Sequence, residues 1–134
     1  MYRPVAEDQL QVLRGDIQQG VQIRGDGELL TQMFSNLIEN AIRHTPPRTD
    51  ILISLSVSGH AAVVCVADDG PGIPAGEHEK VFRPFYRLIS SRSTPGNGLG
   101  LALVAAIANL HHAGLEMSDN RPGLRIRASF NREA

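Results

Sequence analysis

The chain is poor in aromatic residues, which make up 4% of its 134 positions, and it has no tryptophan. That argues against recognition of single-stranded nucleic acid by base stacking, which needs several exposed rings. It has one cysteine, Cys65, so no intrachain disulfide framework can form and a reducing cytoplasm is the expected compartment. Cys65 sits inside the apolar run Ala61–Ala67, where a buried, inert thiol in a strand is expected. Neither sign of charge dominates. A net charge of −1 leaves no basic footprint for nucleic acid and no acidic tail. No apolar run is long enough to span a membrane, and the start carries no signal-peptide pattern. Cysteine and histidine are not clustered at zinc-ligand spacing. There is no internal repeat and no low-complexity segment.

What is present suits one soluble globular domain, residues 1–134, with 42% hydrophobic and 20% charged residues. Met1–Asp8 lacks a start signal of its own and reads as the tail of a preceding segment, so a fragment of a longer protein is expected. Leu10–Leu13 and Val21–Arg24 suit two short strands, with turn chemistry at Gly15-Asp16 and Gln19-Gly20. Asp26 caps a long helix carrying Glu28 in its first turn, and Thr45-Pro46-Pro47 ends it. Two strands follow, Ile51–Val57 by alternation and Ala61–Ala67 by a continuous apolar run that suits a central strand. Residues 75–97 are irregular, and a stretch of that length inside a domain is usually functional. A second helix opens at Gly96–Leu101 and runs to about His111, with Leu101, Val104, Ala105, Ala108 and Leu110 on its apolar side. Leu115–Ser118 and Leu124–Phe130 form a closing hairpin around Asn120–Gly123. The order β-β-α-β-β-loop-α-β-β predicts an α/β (α+β) two-layer sandwich. Its sheet would be mixed, mostly antiparallel and of about five strands, with the helices on one face.

Three places could carry chemistry. On the first helix, Asn36, Glu39, Asn40 and Arg43 share one polar stripe, opposite Leu30, Phe34, Leu37, Ile38, Ala41 and Ile42. Carboxamide oxygens one turn apart can ligate a hard cation or its waters, and the arginine can meet a phosphate. By itself the stripe also fits a solvated helix face. Asp68 follows a buried strand and precedes Gly70-Pro71-Gly72. Its carboxylate can accept from a ligand's amino group while the glycines admit a close backbone approach, although a plain turn is the alternative. Gly96-Asn97-Gly98-Leu99-Gly100-Leu101 leaves backbone N–H groups at a helix mouth, suited to phosphate, or forms a hinge. Between them, Arg83, Arg87 and Arg92 could supply cations from a mobile segment that Phe82, Phe85 and Tyr86 pin to the core.

Taken together, Asn-x-x-x-Asn-x-x-Arg, Asp-x-Gly-x-Gly, Phe-x-x-Phe-Tyr-Arg and Gly-x-Gly-Leu-Gly-Leu occur in a specific order. On these four motifs the chain, from about Asp26 to Phe130, resembles the catalytic, ATP-binding domain of bacterial sensor histidine kinases. It resembles more widely the Bergerat-fold (GHKL) ATPases shared with gyrase, mismatch-repair proteins and a heat-shock chaperone. Asn36–Pro46 is similar to the N box, Asp68–Pro74 to the first glycine box, Phe82–Arg87 to the F box and Gly96–Leu101 to the second glycine box. The resemblance implies ATP and Mg²⁺ as cofactors, with Asn40 on the Mg²⁺, Asn36 assisting, Arg43 on phosphate and His44 near the adenine or ribose. It implies that Asp68 accepts the adenine amino group. Gly70, Gly72 and Ile73 would line the base, and residues 75–97 would form the ATP lid. Phe82, Arg87, Gly96, Gly98, Leu99, Gly100 and Leu101 would complete the nucleotide site. Asn36, Glu39, Arg43 and Arg87 are the candidates for catalysis.

Two departures refine this. Gyrase-like ATPases carry glutamate at the Asn36 position as general base. A carboxamide cannot take that proton, so transfer is expected rather than hydrolysis. Glu39 is the nearest carboxylate on the stripe and also suits a local partner for Arg43 at i+4. The phosphoacceptor histidine of such a kinase is missing. His78-Glu79 mimics its His-acid pair but has no amphipathic helix around it. The expected activity is transfer of the γ-phosphate from Mg-ATP to a histidine on a separate dimerisation domain. A response regulator would be the further partner, nucleic acid is not expected as one, and the isolated domain would be monomeric. By family expectation the parent sits in the bacterial inner membrane with this domain in the cytoplasm. The alternatives are an ATP-hydrolysing clamp and a non-enzymatic nucleotide-binding interaction module.

Overall fold

The computed structural model describes residues 11–18, 25–83 and 100–131, except for the side chains of Val12 and Ile17. The expected strand Val21–Arg24 and the site candidates Arg87, Gly96, Gly98 and Leu99 lie outside those residues. Strand β1 (Val12–Ile17) is followed by helix α1 (Gly27–His44), then β2 (Asp50–Ser58) and β3 (Ala61–Asp68). Two single 3-10 turns, Ala75–Glu77 and Lys80–Phe82, precede helix α2 (Gly100–Leu110) and the hairpin β4 (Gly114–Asp119) and β5 (Leu124–Asn131). The sheet has five strands in the order β1-β2-β3-β5-β4. All pairings are antiparallel except β1 with β2. The mixed, mostly antiparallel two-layer architecture is therefore as expected.

One expectation at the start is overturned. Gly15 and Asp16 form no turn; they continue β1, with Leu13 opposite Ile51 and Gly15 opposite Ile53. Pairing with β2 satisfies their backbone groups and overrides the local turn preference. The parallel β1–β2 pair also means that α1 connects two parallel neighbours, a crossover arrangement that the expected hairpin-like start did not contain.

The core lies between the helices and one face of the sheet. Along β5, Leu124, Ile126, Ala128 and Phe130 are buried while Arg125 and Arg127 are exposed on the opposite face, the period of a half-covered strand. From α1 come Leu30, Met33, Leu37, Ala41 and Ile42. Met33 is fully buried and centres the apolar stripe, whereas Phe34 and Ile38 are only partly buried at its margin. Phe34 meets Phe130 edge to face, with ring centroids 6.2 Å apart, a pair worth about 0.5–1.5 kcal/mol beyond its area. Helix α2 turns Val104, Ile107 and Ala108 inward. Leu110, expected on that side, is 66% exposed. Its place belongs to Ile107, because burial at 104, 107 and 108 leaves position 110 rotated outward on the helix.

Cys65 also differs from expectation. It lies on the face of the sheet away from the helices, opposite Arg127 on β5, and is partly exposed. Burial still pushes its thiol pKa up, partly offset by Arg125, Arg127 and a bond with Ser54.

Candidate functional site

The polar stripe of α1 opens at Asp26, whose side chain accepts from the Leu29 N–H at 3.1 Å, the expected cap. At the far end Thr45 is extended because Pro46 excludes helix before it. Gln11, buried to 2% exposure, closes this end. Its Nε2 donates to the Ile42 carbonyl, the Thr45 carbonyl and Thr45 Oγ1 at 2.9, 2.9 and 2.7 Å. These are the carbonyls a helix C-terminus leaves unpaired. No sequence signal marked Gln11, because the contact spans 31 and 34 residues.

Asn36 sits midway along the stripe. Its Oδ1 accepts from Gln32 Nε2 at 3.1 Å, and its Nδ2 donates to the Gly100 carbonyl at 3.5 Å. The Asn36 box and the start of α2, 64 residues apart in sequence, thus meet. Asn40 is half-buried one turn on, with Arg43 and His44 exposed beyond it and Glu39 exposed beside it. No cluster of three or more His, Cys, Asp or Glu side chains suited to a metal occurs among the described residues. Two carboxamides without a carboxylate cannot hold Mg²⁺ by themselves. They do fit an ion that arrives on phosphate oxygens and keeps most of its waters.

Asp68 ends β3 and is 7% exposed. Its Oδ1 accepts from the Gly70 N–H at 2.9 Å and the Leu124 N–H at 3.3 Å. Among the described residues, Oδ2 takes no hydrogen bond. Burial raises the carboxyl pKa above its ordinary value, the Gly70 and Leu124 bonds lower it in part, and Asp69 raises it further. The glycine loop wraps this group closely. Gly72 has φ +77°, and a Cβ there would come within 2.9 Å of the Gly123 carbonyl oxygen. Gly123 has φ +107°, and a Cβ there would overlap the Asp68 carbonyl. Both positions demand glycine by conformation and by space. Gly123 was missed in the sequence because it looked like ordinary hairpin punctuation. Beside Gly70 stands Thr45, its methyl carbon 3.3 Å from where a Cβ would lie, so the end of α1 abuts the glycine loop.

Ile73, Phe82 and Leu101 pack partly buried against the core, and the second 3-10 turn lies against α2. His78 is tied by Nε2 to the Ile73 carbonyl at 2.8 Å and lies between the two 3-10 turns, not on an amphipathic helix. A further histidine works structurally. His111 Nδ1 donates to the Ile107 carbonyl at 2.8 Å and Nε2 accepts from the Asp26 N–H at 3.1 Å. That stitches the end of α2 to the start of α1. A separate cavity of about 130 Å³, lined by Phe34, Ile38, Ile53, Leu55 and Val64 among others, is wholly apolar and lies on the buried side of α1, away from the stripe.

The candidate site is therefore a shelf of amides and a cation along α1, a nearly buried carboxylate held by one oxygen under a glycine loop, and a helix start joined to the shelf. The family described as histidine kinase-, DNA gyrase B- and HSP90-like ATPase matches residues 25–134, and the chain belongs to it. Within that class it is similar to sensor kinases. The signal transduction histidine-protein kinase/phosphatase MprB of Mycobacterium tuberculosis is 42% identical over 106 residues, 78% of this chain and 21% of that protein. The protein of the same name from a Mycobacterium species is 40% identical over 106 residues, 78% of this chain and 20% of its own. The chain thus spans about a fifth of the length of these curated relatives. A solved mycobacterial sensor histidine kinase MprB matches with a TM-score of 0.81 at 27% identity, over 96% of this chain and 87% of that one. The nucleotide-free catalytic domain of histidine kinase ThkA matches with a TM-score of 0.85 at 22% identity, over 98% and 86%, and shares the fold.

Proposed function

We propose that this domain binds Mg-ATP and transfers the γ-phosphate to a histidine on a separate dimerisation domain, in two-component signalling. The observation that carries the reading is Asp68. Two backbone N–H groups hold one carboxylate oxygen, and the other takes no hydrogen bond among the described residues, an arrangement that suits the exocyclic amino group of adenine and opposes the carbonyl of guanine. Asn40 and Asn36 would hold Mg²⁺ on the phosphate side, and that ion supplies charge neutralisation between phosphates. Arg43 adds a fixed cation, and the N-terminal N–H groups of α2 face developing charge. Arg87, in the lid segment 75–97, is the further cation of the proposal. Asn36 orients but takes no proton, which favours transfer over hydrolysis. Similarity to sensor kinases supports the partners: a histidine-bearing hairpin of the parent protein and a response regulator.

The test is transfer in trans, with this domain, the parent's histidine hairpin and γ-labelled ATP. Acid-labile phosphohistidine is the expected product. Tight Mg-ATP binding without it, together with ATP hydrolysis abolished by Glu39→Gln, would replace the kinase with a hydrolysing clamp. Absence of nucleotide binding would leave a non-enzymatic interaction module.

A further inference from the structure

The β4–β5 turn lies against the glycine loop, and one of its side chains is bonded at both ends. Asn120 Nδ2 donates to the Asp68 carbonyl at 2.7 Å, across 52 residues. Its Oδ1 accepts from Arg125 Nη2 at 2.8 Å. The amide has one possible orientation, since a guanidinium only donates and a carbonyl only accepts. Its backbone N–H closes the turn on the Gly123 carbonyl at 3.0 Å. The other side of the same Asp68–Asp69 peptide is also held, the Asp69 N–H donating to the Asp50 carbonyl at 3.2 Å. The Asp50 N–H returns a bond to Asp69 Oδ1 at 2.8 Å. A peptide clamped at both its oxygen and its nitrogen cannot rotate. Its plane sets where the loop at Gly70 and Gly72 stands relative to the Asp68 carboxylate.

We infer that Asn120 is a specificity-determining positioning residue: with Arg125 locking its amide, it fixes the Asp68–Asp69 peptide so that the open carboxylate oxygen meets an adenine and not a guanine base. This rests on the nucleotide reading above and deepens it. Asn120 touches no base. It acts through Asp68, so its loss should change the choice of base more than the grip on phosphate. A single net hydrogen bond corresponds to about a three- to tenfold change in affinity.

The experiment measures ATP and GTP affinities, both with Mg²⁺, for the whole 134-residue chain and three variants, alongside their unfolding midpoints. Asn120→Ala removes both side-chain bonds. Asn120→Asp keeps the volume and the Arg125 partner but replaces the donor with a carboxylate, so it decides the matter if the alanine variant folds poorly. Asp68→Asn is the reference for loss of the preference for adenine. The expected result is a preference for ATP narrowed about three- to tenfold in both Asn120 variants, through weaker ATP binding with GTP binding little changed. A preference unchanged in Asn120→Asp while Asp68→Asn abolishes it would overturn the role of Asn120, as would equal losses for both nucleotides. If Asp68→Asn leaves the preference intact, the adenine reading itself is wrong and this inference falls with it.

Discussion

Asp68→Asn should invert base preference and stabilise the fold at the same time. The substitution is nearly isosteric. The amide oxygen can keep the bonds from the Gly70 and Leu124 N–H groups, so the loop retains its shape. What changes is the open position, where a donor replaces an acceptor. Adenine then loses a charge-assisted bond worth about 1.5–3 kcal/mol and faces a buried, unpaired donor costing about 1–3 kcal/mol more. The sum, about 2.5–6 kcal/mol, predicts roughly a 60- to 20,000-fold loss of ATP affinity, while the guanine carbonyl gains a partner. Competition titration with ATP and GTP measures both. Stability should move the other way. Burial holds the Asp68 pKa above its ordinary value, so the folded state binds this proton more tightly than the unfolded state does. Its contribution to stability therefore falls as pH rises from the unfolded carboxyl value, about 3.9, through the raised folded value. The variant lacks that loss. Its unfolding midpoint should exceed that of the parent chain at neutral pH, and the gap should close as pH falls toward about 4. Asp69→Asn is the control for base choice: exposed, it can still accept from the Asp50 N–H, so ATP affinity should hold. Loss of its charge removes the smallest of the causes that raise the Asp68 pKa and should shift stability only slightly, in the same direction. Unchanged ATP affinity in Asp68→Asn, with the fold intact, would refute the assignment of Asp68 to the base.

Three further outcomes are expected. Gly123→Ala should cost about 1–3 kcal/mol in urea unfolding, because φ is +107° and the methyl would overlap the Asp68 carbonyl; wild-type stability would show that the turn and the glycine loop are not in contact. Gln11→Ala leaves the Ile42 and Thr45 carbonyls short of a donor and should cost about 1–3 kcal/mol, read in the same assay, with looser hydrogen-exchange protection at the end of α1. Cys65 should alkylate slowly at neutral pH, with a rate midpoint above the ordinary thiol value, since burial raises its pKa despite Arg125 and Arg127; rapid modification by iodoacetamide at neutral pH would contradict that.

Much of this protein was legible in its residues because the signals are local. Asp26 and Pro46 bound α1 through backbone chemistry that needs no tertiary context. Alternation along β2 and β5 marks a sheet covered on one side. The four motifs identify the ATPase family, and residues 25–134 match it. What local pattern could not decide depended on partners distant in sequence. Gly15-Asp16 reads as a turn until β2 lies beside it. Leu110 reads as core until Ile107 takes the inward position. Cys65 reads as buried until β3 is paired and the thiol is seen to stand on the face away from the helices, beside the exposed Arg127. Gln11, His111, Asn120 and Gly123 carry no motif at all, because each acts on a backbone group brought near it only by the fold. The sequence by itself determined which chemical groups are available: the amides of α1, the carboxylate after β3 and the glycines around it. Tertiary structure decided how they are held: the Asp68 carboxylate takes one N–H from Gly70 two residues on, as local sequence permits, but the other from Leu124, 56 residues away, which only the pairing of β3 with β5 brings to it.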